Sequence, residues 1–167
     1  AGRRVAETNQ DGIVALLGFD GAGRLLSVTN AVGTTNQAIT RYEYDAAGNP
    51  VAQVDALNRT NTFGFNLLGQ RIWHKLPEGQ CEWFAYDPVG DLIYHTNFNG
   101  VVITNQYDCM NRLTNRSSVN GFNIGYTYSP TGQRLTMTDG SGVTSCEYDL
   151  RDRLRVKSEA FNGGPEI

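Results

Sequence analysis

The stretch YEYDAAGNP, Tyr42–Pro50, decides how this chain folds, because it returns. Phe84–Leu92 reads FAYDPVGDL and Tyr126–Leu135 reads YTYSPTGQRL. Each has two aromatics one residue apart, then an acidic or small polar residue, two free positions and a glycine. The second aromatic falls at Phe19, Tyr44, Phe65, Tyr86, Tyr107, Tyr128 and Tyr148, at spacings of 25, 21, 21, 21, 21 and 20 residues. Four residues later stand Gly23, Gly48, Gly69, Gly90, Asn111, Gly132 and Asp152, and Gly2 extends that series backwards by 21. A fixed period of this length marks a repeat architecture with one supersecondary element per unit.

A second series lies ten residues after the first: Gly12, Gly33, Asn58, Gly79, Gly100, Gly121, Gly142 and Asn162. The residues that replace glycine in the two series are Asn and Asp, which also tolerate a left-handed backbone. The selected property is therefore the sign of φ. The bookkeeping places the extra four residues of the first spacing between Gly33 and Tyr44, and the missing residue of the last between Gly142 and Tyr148.

Three residues before the left-handed position stand Asp20, Asp45, Asp87, Asp108 and Asp149, with Asn66 and Ser129 in the remaining units. An oxygen there accepts hydrogen bonds from turn amides. A carboxylate needed for chemistry would not exchange with Ser, whereas a turn acceptor can. These positions are structural turn residues, and the aromatics form a structural register.

The arms between turns alternate and are rich in Thr, Ile, Val and aromatics, as in VVITNQYD and FNIGYTYS. No stretch sustains a 3.6-residue apolar period, so helices are not expected. Residues two apart share a face. Tyr42 thus lies with Tyr44, Phe63 with Phe65, Phe84 with Tyr86 and Tyr126 with Tyr128, on the face expected to be packed. Ten residues per strand and turn permit only tight antiparallel connections. The expected fold is all-β: an antiparallel hairpin meander of about fifteen strands. Because open sheets beyond about ten strands tend to curl, split or close, a strongly curved sheet is expected, an arc or spiral of a β-shell. The chain reads as one repeat array over 1–167, a partial unit at 1–12 and seven further units at 13–167, with no second domain.

These units resemble the tyrosine–aspartate (YD) repeat of bacterial Rhs proteins, of insecticidal toxin-complex shell subunits and of teneurins. YEYDAAGNPVAQVDALNRT and YTYSPTGQRLTMTDGSG carry the resemblance most fully, and it covers essentially the whole chain. It implies a hairpin strip that winds into a hollow cocoon around a toxin or other C-terminal cargo. The implied partners are neighbouring YD repeats and the enclosed polypeptide, in a secreted or cell-surface protein. It also admits an extracellular module that binds carbohydrate or protein, with a glycan as partner. The self-cleaving aspartate segment of the bacterial shells is not found here, so no residue is assigned that role.

Other chemistry finds little footing. A net charge of −3 argues against nucleic acid as partner, and Arg3-Arg4 and the Arg151, Arg153, Arg155 group read as solvated faces. No apolar run reaches the roughly 20 residues of a membrane span. The chain neither begins with Met nor opens on a signal peptide, which reads as a stretch of a longer protein. Cys81, Cys109 and Cys146 form neither a disulfide framework nor a zinc site. His74 and His95 share a register, but equivalent positions lie two strands, about 9.6 Å, apart. The Gly turns lack the spacing of calcium or phosphate loops, and Ser, His and Asp assemble no triad. Trp73 and Trp83 share no register and read as filling local packing gaps, an exposed Trp being the candidate for sugar contact. No enzyme activity and no cofactor are expected.

Overall fold

The computed structural model describes residues 5–119 and 121–162. Gly2, Arg3, Arg4 and the closing GGPEI lie outside them. Every described element is a strand: β1 Ala6–Thr8, β2 Val14–Phe19, β3 Leu25–Asn30, β4 Ala38–Tyr44, β5 Pro50–Val54, β6 Thr60–Phe65, β7 Arg71–Lys75, β8 Cys81–Tyr86, β9 Leu92–Thr96, β10 Val102–Tyr107, β11 Leu113–Ser118, β12 Asn123–Tyr128, β13 Arg134–Thr138, β14 Gly142–Tyr148 and β15 Leu154–Phe161. They hydrogen-bond in sequence order from β1 to β15. By contact density the chain divides into two compact units, Ala1–Glu82 and Trp83–Ile167.

The meander is open rather than strongly curved. The strand order ends at β1 and β15 without joining them, and within each unit strands contact only their sequence neighbours. The expected arc or spiral is thus corrected. The tendency of a broad sheet to curl reflects an apolar face that needs a second layer. Here few described apolar side chains are enclosed, so little burial draws the sheet back on itself. Ala52 in the first unit and Ile103 and Cys146 in the second are the buried hydrophobic residues, and no described side chain is completely enclosed. Tyr42, Tyr44, Phe63, Phe65, Phe84, Tyr86, Tyr126 and Tyr128 are half-buried, whereas the intervening Glu43, Ala85 and Thr127 are exposed.

Each hairpin carries one irregularity at the same place. The register slips between Gly18 and Phe19, Glu43 and Tyr44, Gly64 and Phe65, Ala85 and Tyr86, Gln106 and Tyr107, Thr127 and Tyr128, and Glu147 and Tyr148. The extra residue on the return strand is Leu26, Val51, Ile72, Ile93, Thr114, Leu135 or Arg155. A one-residue bulge resets which face the following residues point to. Residues three apart on the return strand, such as Pro50 and Gln53 opposite Tyr44 and Tyr42, therefore share the aromatic face.

Two length changes are absorbed in turns. The insertion forms a loop over 31–37, with Ala31 at φ 51° and the Val32 N–H donating to Val14 O at 3.0 Å. The deletion lies in the turn before β14, not after Gly142. There the Asp139 N–H donates to Gly142 O at 2.9 Å, closing a two-residue loop where other turns have three. Gly142 itself opens β14 with a nearly extended φ of 158°. A Cβ at this position would collide with the Ala160 carbonyl, so close backbone approach is what requires glycine.

Candidate functional site

The repeated corner has one geometry. In the first unit the Asp20 N–H donates to Arg24 O at 3.0 Å and the Gly23 N–H to Asp20 O at 3.0 Å. The same pair joins Asp45 with Asn49 and Gly48, and Asn66 with Gln70 and Gly69. In the second unit it joins Asp87 with Asp91 and Gly90, Asp108 with Arg112 and Asn111, Ser129 with Gln133 and Gly132, and Asp149 with Arg153 and Asp152. This is a three-residue hairpin loop closed by a left-handed residue. The φ values at that residue are 87° at Gly23, 91° at Gly48, 74° at Gly69, 100° at Gly90, 59° at Asn111, 99° at Gly132 and 60° at Asp152.

The side-chain acceptor completes the loop. Asp45 Oδ1 accepts from the Asn49 N–H at 2.8 Å, Asn66 Oδ1 from the Gln70 N–H at 3.0 Å and Ser129 Oγ from the Gln133 N–H at 3.1 Å. Carboxylate, amide and hydroxyl oxygens thus perform one task. The carboxylates of Asp20, Asp45, Asp108 and Asp149 are held below the usual carboxylate range by hydrogen bonds from the residue four positions on. For Asp20 the Arg24 backbone amide is the largest cause. For Asp45, Asp108 and Asp149 it is the side chain of Asn49, Arg112 and Arg153. The opposite corners use the same chemistry: Asp55 Oδ1 accepts from Leu57 and Arg59, and Asn97 Oδ1 from Asn99 and Val101. Sequence reasoning found the glycines of that second series but missed its acceptors, although Asn9, Asp55, Asn97 and Asp139 stand three residues before positions 12, 58, 100 and 142.

The aromatic register joins one hairpin to the next. Between repeats the strands pair only away from the corner; β3 and β4, for example, pair from Asn30↔Ala38 to Ser27↔Arg41. The carbonyl of Leu25 lies beyond that ladder, and the Tyr44 hydroxyl donates to it at 2.9 Å. In the second unit Tyr107 does the same for Leu92 at 3.0 Å, Tyr128 for Leu113 at 2.8 Å and Tyr148 for Arg134 at 3.0 Å. Tyr86 holds the same register. Phe19 and Phe65 lack the hydroxyl.

An arginine adds a second joint that sequence reasoning missed. Arg24 Nε donates to Asp20 Oδ2 at 2.6 Å, its Nη1 reaches Asp45 O at 3.3 Å, and its guanidinium lies 4.9 Å from the Tyr44 ring centre. Arg112 repeats this with Asp108 Oδ2 at 2.7 Å, Ser129 O at 2.8 Å and the Tyr128 ring at 4.9 Å. The signal was an Arg four residues after the Asp, but only the fold shows that it reaches the following corner.

The remaining candidates are structural neighbours of this ladder. His74 stacks on Phe63, ring centres 4.6 Å apart, and His95 on Phe84 at 4.8 Å, each with its cross-strand partner. Nδ1 of His74 lies 3.1 Å from Glu82 Oε1 and its Nε2 3.2 Å from Asn61 Oδ1. Trp73 lies across Gly64, where a Cβ would strike the indole, and Trp83 is 53% exposed. Among the described residues no three His, Cys, Asp or Glu side chains cluster as metal ligands would. The cysteines are free, and among the described residues no helix is long and apolar enough to cross a membrane.

Residues 19–60, two successive corners and the hairpins they close, match the RHS Repeat family model. The matched segment is RHS-repeat-related, and the same corner recurs along the rest of the chain. A curated relative, double-stranded DNA deaminase toxin A of Burkholderia cenocepacia strain H111, is 31% identical over 142 residues, which make up 85% of this chain and 10% of that protein. Among solved structures, TcdB2-TccC3 without its hypervariable C-terminal region superposes with a TM-score of 0.75 at 17% identity, over 92% of this chain and 9% of that one. TcdB2-TccC3-Cdc42 gives 0.63 at 15% identity, over 98% and 11%. The Tc holotoxin pore of Photorhabdus luminescens gives 0.57 at 14% identity, over 92% and 12%. The chain thus spans about a tenth of the length of each of these proteins.

Proposed function

We propose that this array is a stretch of wall in an RHS-type β-shell, and that the whole protein uses the shell to hold a toxin or other cargo polypeptide. The observation that carries the reading is the likeness of fold to TcdB2-TccC3 over 92% of the chain, together with a toxin as sequence relative. The physical design agrees with a containing role. Strength comes from a hydrogen-bond ladder and from corner joints, as in a repeat protein whose units lean on their neighbours. No reactive group is required of the wall, and the context is secreted or cell-surface. Limited proteolysis of the full-length protein tests this. Cargo protected in the native particle and cut after the repeats are unfolded supports the reading; cargo cut equally in both states refutes it.

A second reading has one specific observation behind it. Trp83 is 53% and Tyr94 49% exposed, and their pairing to Thr96 and Ala85 sets both on one face of the β8–β9 hairpin. Such a pair offers a platform for sugar stacking. Glycan-array binding lost in Trp83→Ala would support a carbohydrate-binding role, and a blank array would remove it.

A further inference from the structure

In two hairpins an arginine fills the space between consecutive corners: Arg24 between Asp20 and Tyr44, and Arg112 between Asp108 and Tyr128. Two departures from this pattern meet where the β8–β9 hairpin adjoins the β10–β11 hairpin. Asp91 stands where those arginines stand, four residues after Asp87. Asn105 stands on β10 at the place where Tyr42, Phe63, Phe84 and Tyr126 carry the first aromatic of their units and where Leu17 and Cys146 are apolar, so it alone puts an amide there. Both changes line one open cleft, together with Asp87, Tyr107 and Asp108.

The electrostatics there are one-sided. Asp91 Oδ2 and Asn105 Oδ1 are buried atoms that accept no hydrogen bond. Buried acceptors are satisfied as a rule, because leaving one unpaired forfeits its solvation. Asp87 commits Oδ1 to the amides of Val89, Gly90 and Asp91 at 3.0, 2.9 and 2.9 Å. That leaves Oδ2, the oxygen that takes the arginine Nε in Asp20 and Asp108. Asn105 Nδ2 and the Tyr107 hydroxyl both donate to Leu92 O, at 2.8 and 3.0 Å, which fixes Asn105 with its oxygen turned away from that carbonyl. Burial first, and the Asp91 carboxylate next, push the Tyr107 phenol above its ordinary range.

We propose that this cleft is a guanidinium site, which takes from a bound polypeptide the arginine side chain that the repeat supplies for itself at Arg24 and Arg112. A planar guanidinium carries five donors in a fixed fork and stacks on aromatic rings. It can meet the carboxylates of Asp87 and Asp91, the Asn105 oxygen and the Tyr107 ring together. Among the described residues no three His, Cys, Asp or Glu side chains cluster as metal ligands would, which favours an organic cation over calcium. The inference rests on the geometry of the second unit alone and is independent of the shell reading.

The test is a titration of the 167-residue chain with N-acetyl-arginine amide, followed by NMR at the Asn105 side-chain amide and the Tyr107 ring, with parallel arms of a lysine analogue and calcium chloride. Saturable shifts at both residues with the arginine probe are expected, at least tenfold weaker in Asp91→Asn, a residue the array already uses at this register in Asn49. In Asp91→Arg the site should be filled from within: the titration should vanish and the thermal midpoint should rise. No shift in the wild type, equal binding by wild type and Asp91→Arg, or shifts with calcium but not with arginine would overturn the proposal.

Discussion

The Tyr128 hydroxyl donates to the backbone carbonyl of Leu113 at 2.8 Å, across the point where two repeats cease to pair through their backbones. The β11–β12 ladder runs from Ser117↔Asn123 to Asn115↔Gly125 and stops short of Leu113. A register tyrosine thus takes over where the sheet's own hydrogen bonds end. Tyr128→Phe removes the donor and keeps the ring. It should destabilise the array by about 1 kcal/mol, the usual net value of such a bond, read as a lower urea midpoint at unchanged m-value. No shift would mean that water serves Leu113 equally well.

The left-handed corner predicts a contrast at one position. Gly90 has φ 100°, and Asn111 holds the equivalent place at φ 59°. Gly90→Asn should cost less than about 1 kcal/mol. Gly90→Val, β-branched at positive φ, should cost about 1–2 kcal/mol or more. Thermal melts of the two variants compare them directly, and equal tolerance would contradict the assignment.

Arg112 acts through shape as well as charge. It pairs with Asp108, stacks on Tyr128 and donates to Ser129 O. Arg112→Ala should lower the melting temperature, and Arg112→Lys should recover little of the loss, because an ammonium cannot fork and stack together. Full recovery with Lys would reduce the joint to simple charge pairing.

Acid should weaken the corners in a fixed direction. Asp20, Asp45, Asp55, Asp108, Asp139 and Asp149 have carboxyls held below their ordinary value, by hydrogen bonds from Arg24, Asn49, Arg59, Arg112, Ser141 and Arg153 in turn. A depressed folded pKa stabilises the fold above the unfolded value, near ~3.9 for Asp. That contribution is lost as pH falls from there through the folded values. Urea midpoints measured from pH 7 to pH 2 should hold steady and then drop below about pH 4. A flat profile would show that these corners do not couple to folding.

The strands and corners were legible because backbone sign is hard to disguise: Gly48, Asn111 and Asp152 share almost nothing except tolerance of positive φ. The joints were less legible. Leu26, Val51 and Ile72 look like ordinary strand residues, and only pairing shows them as the extra residue of a bulge. Arg24 bridges corners 25 residues apart, at Asp20 and Asp45, and Arg112 corners 21 apart, at Asp108 and Ser129, a reach that periodicity alone does not specify. Strong curvature was expected from strand number. Coverage works otherwise: Trp73 lies over Gly64 on one face and His74 over Phe63 on the other, so cross-strand neighbours shield each other without a second layer. The Asp91 and Asn105 departures were visible as substitutions, but their meeting in one cleft required the fold.

The central claim, that this array is wall rather than catalyst, is tested most directly by electron microscopy of the full-length protein. The account predicts that β1 and β15 each continue into neighbouring repeats, as one sheet bounding a cavity with cargo density inside. A sheet whose edges stay free, or a solid particle with no cavity behind the repeats, would contradict it.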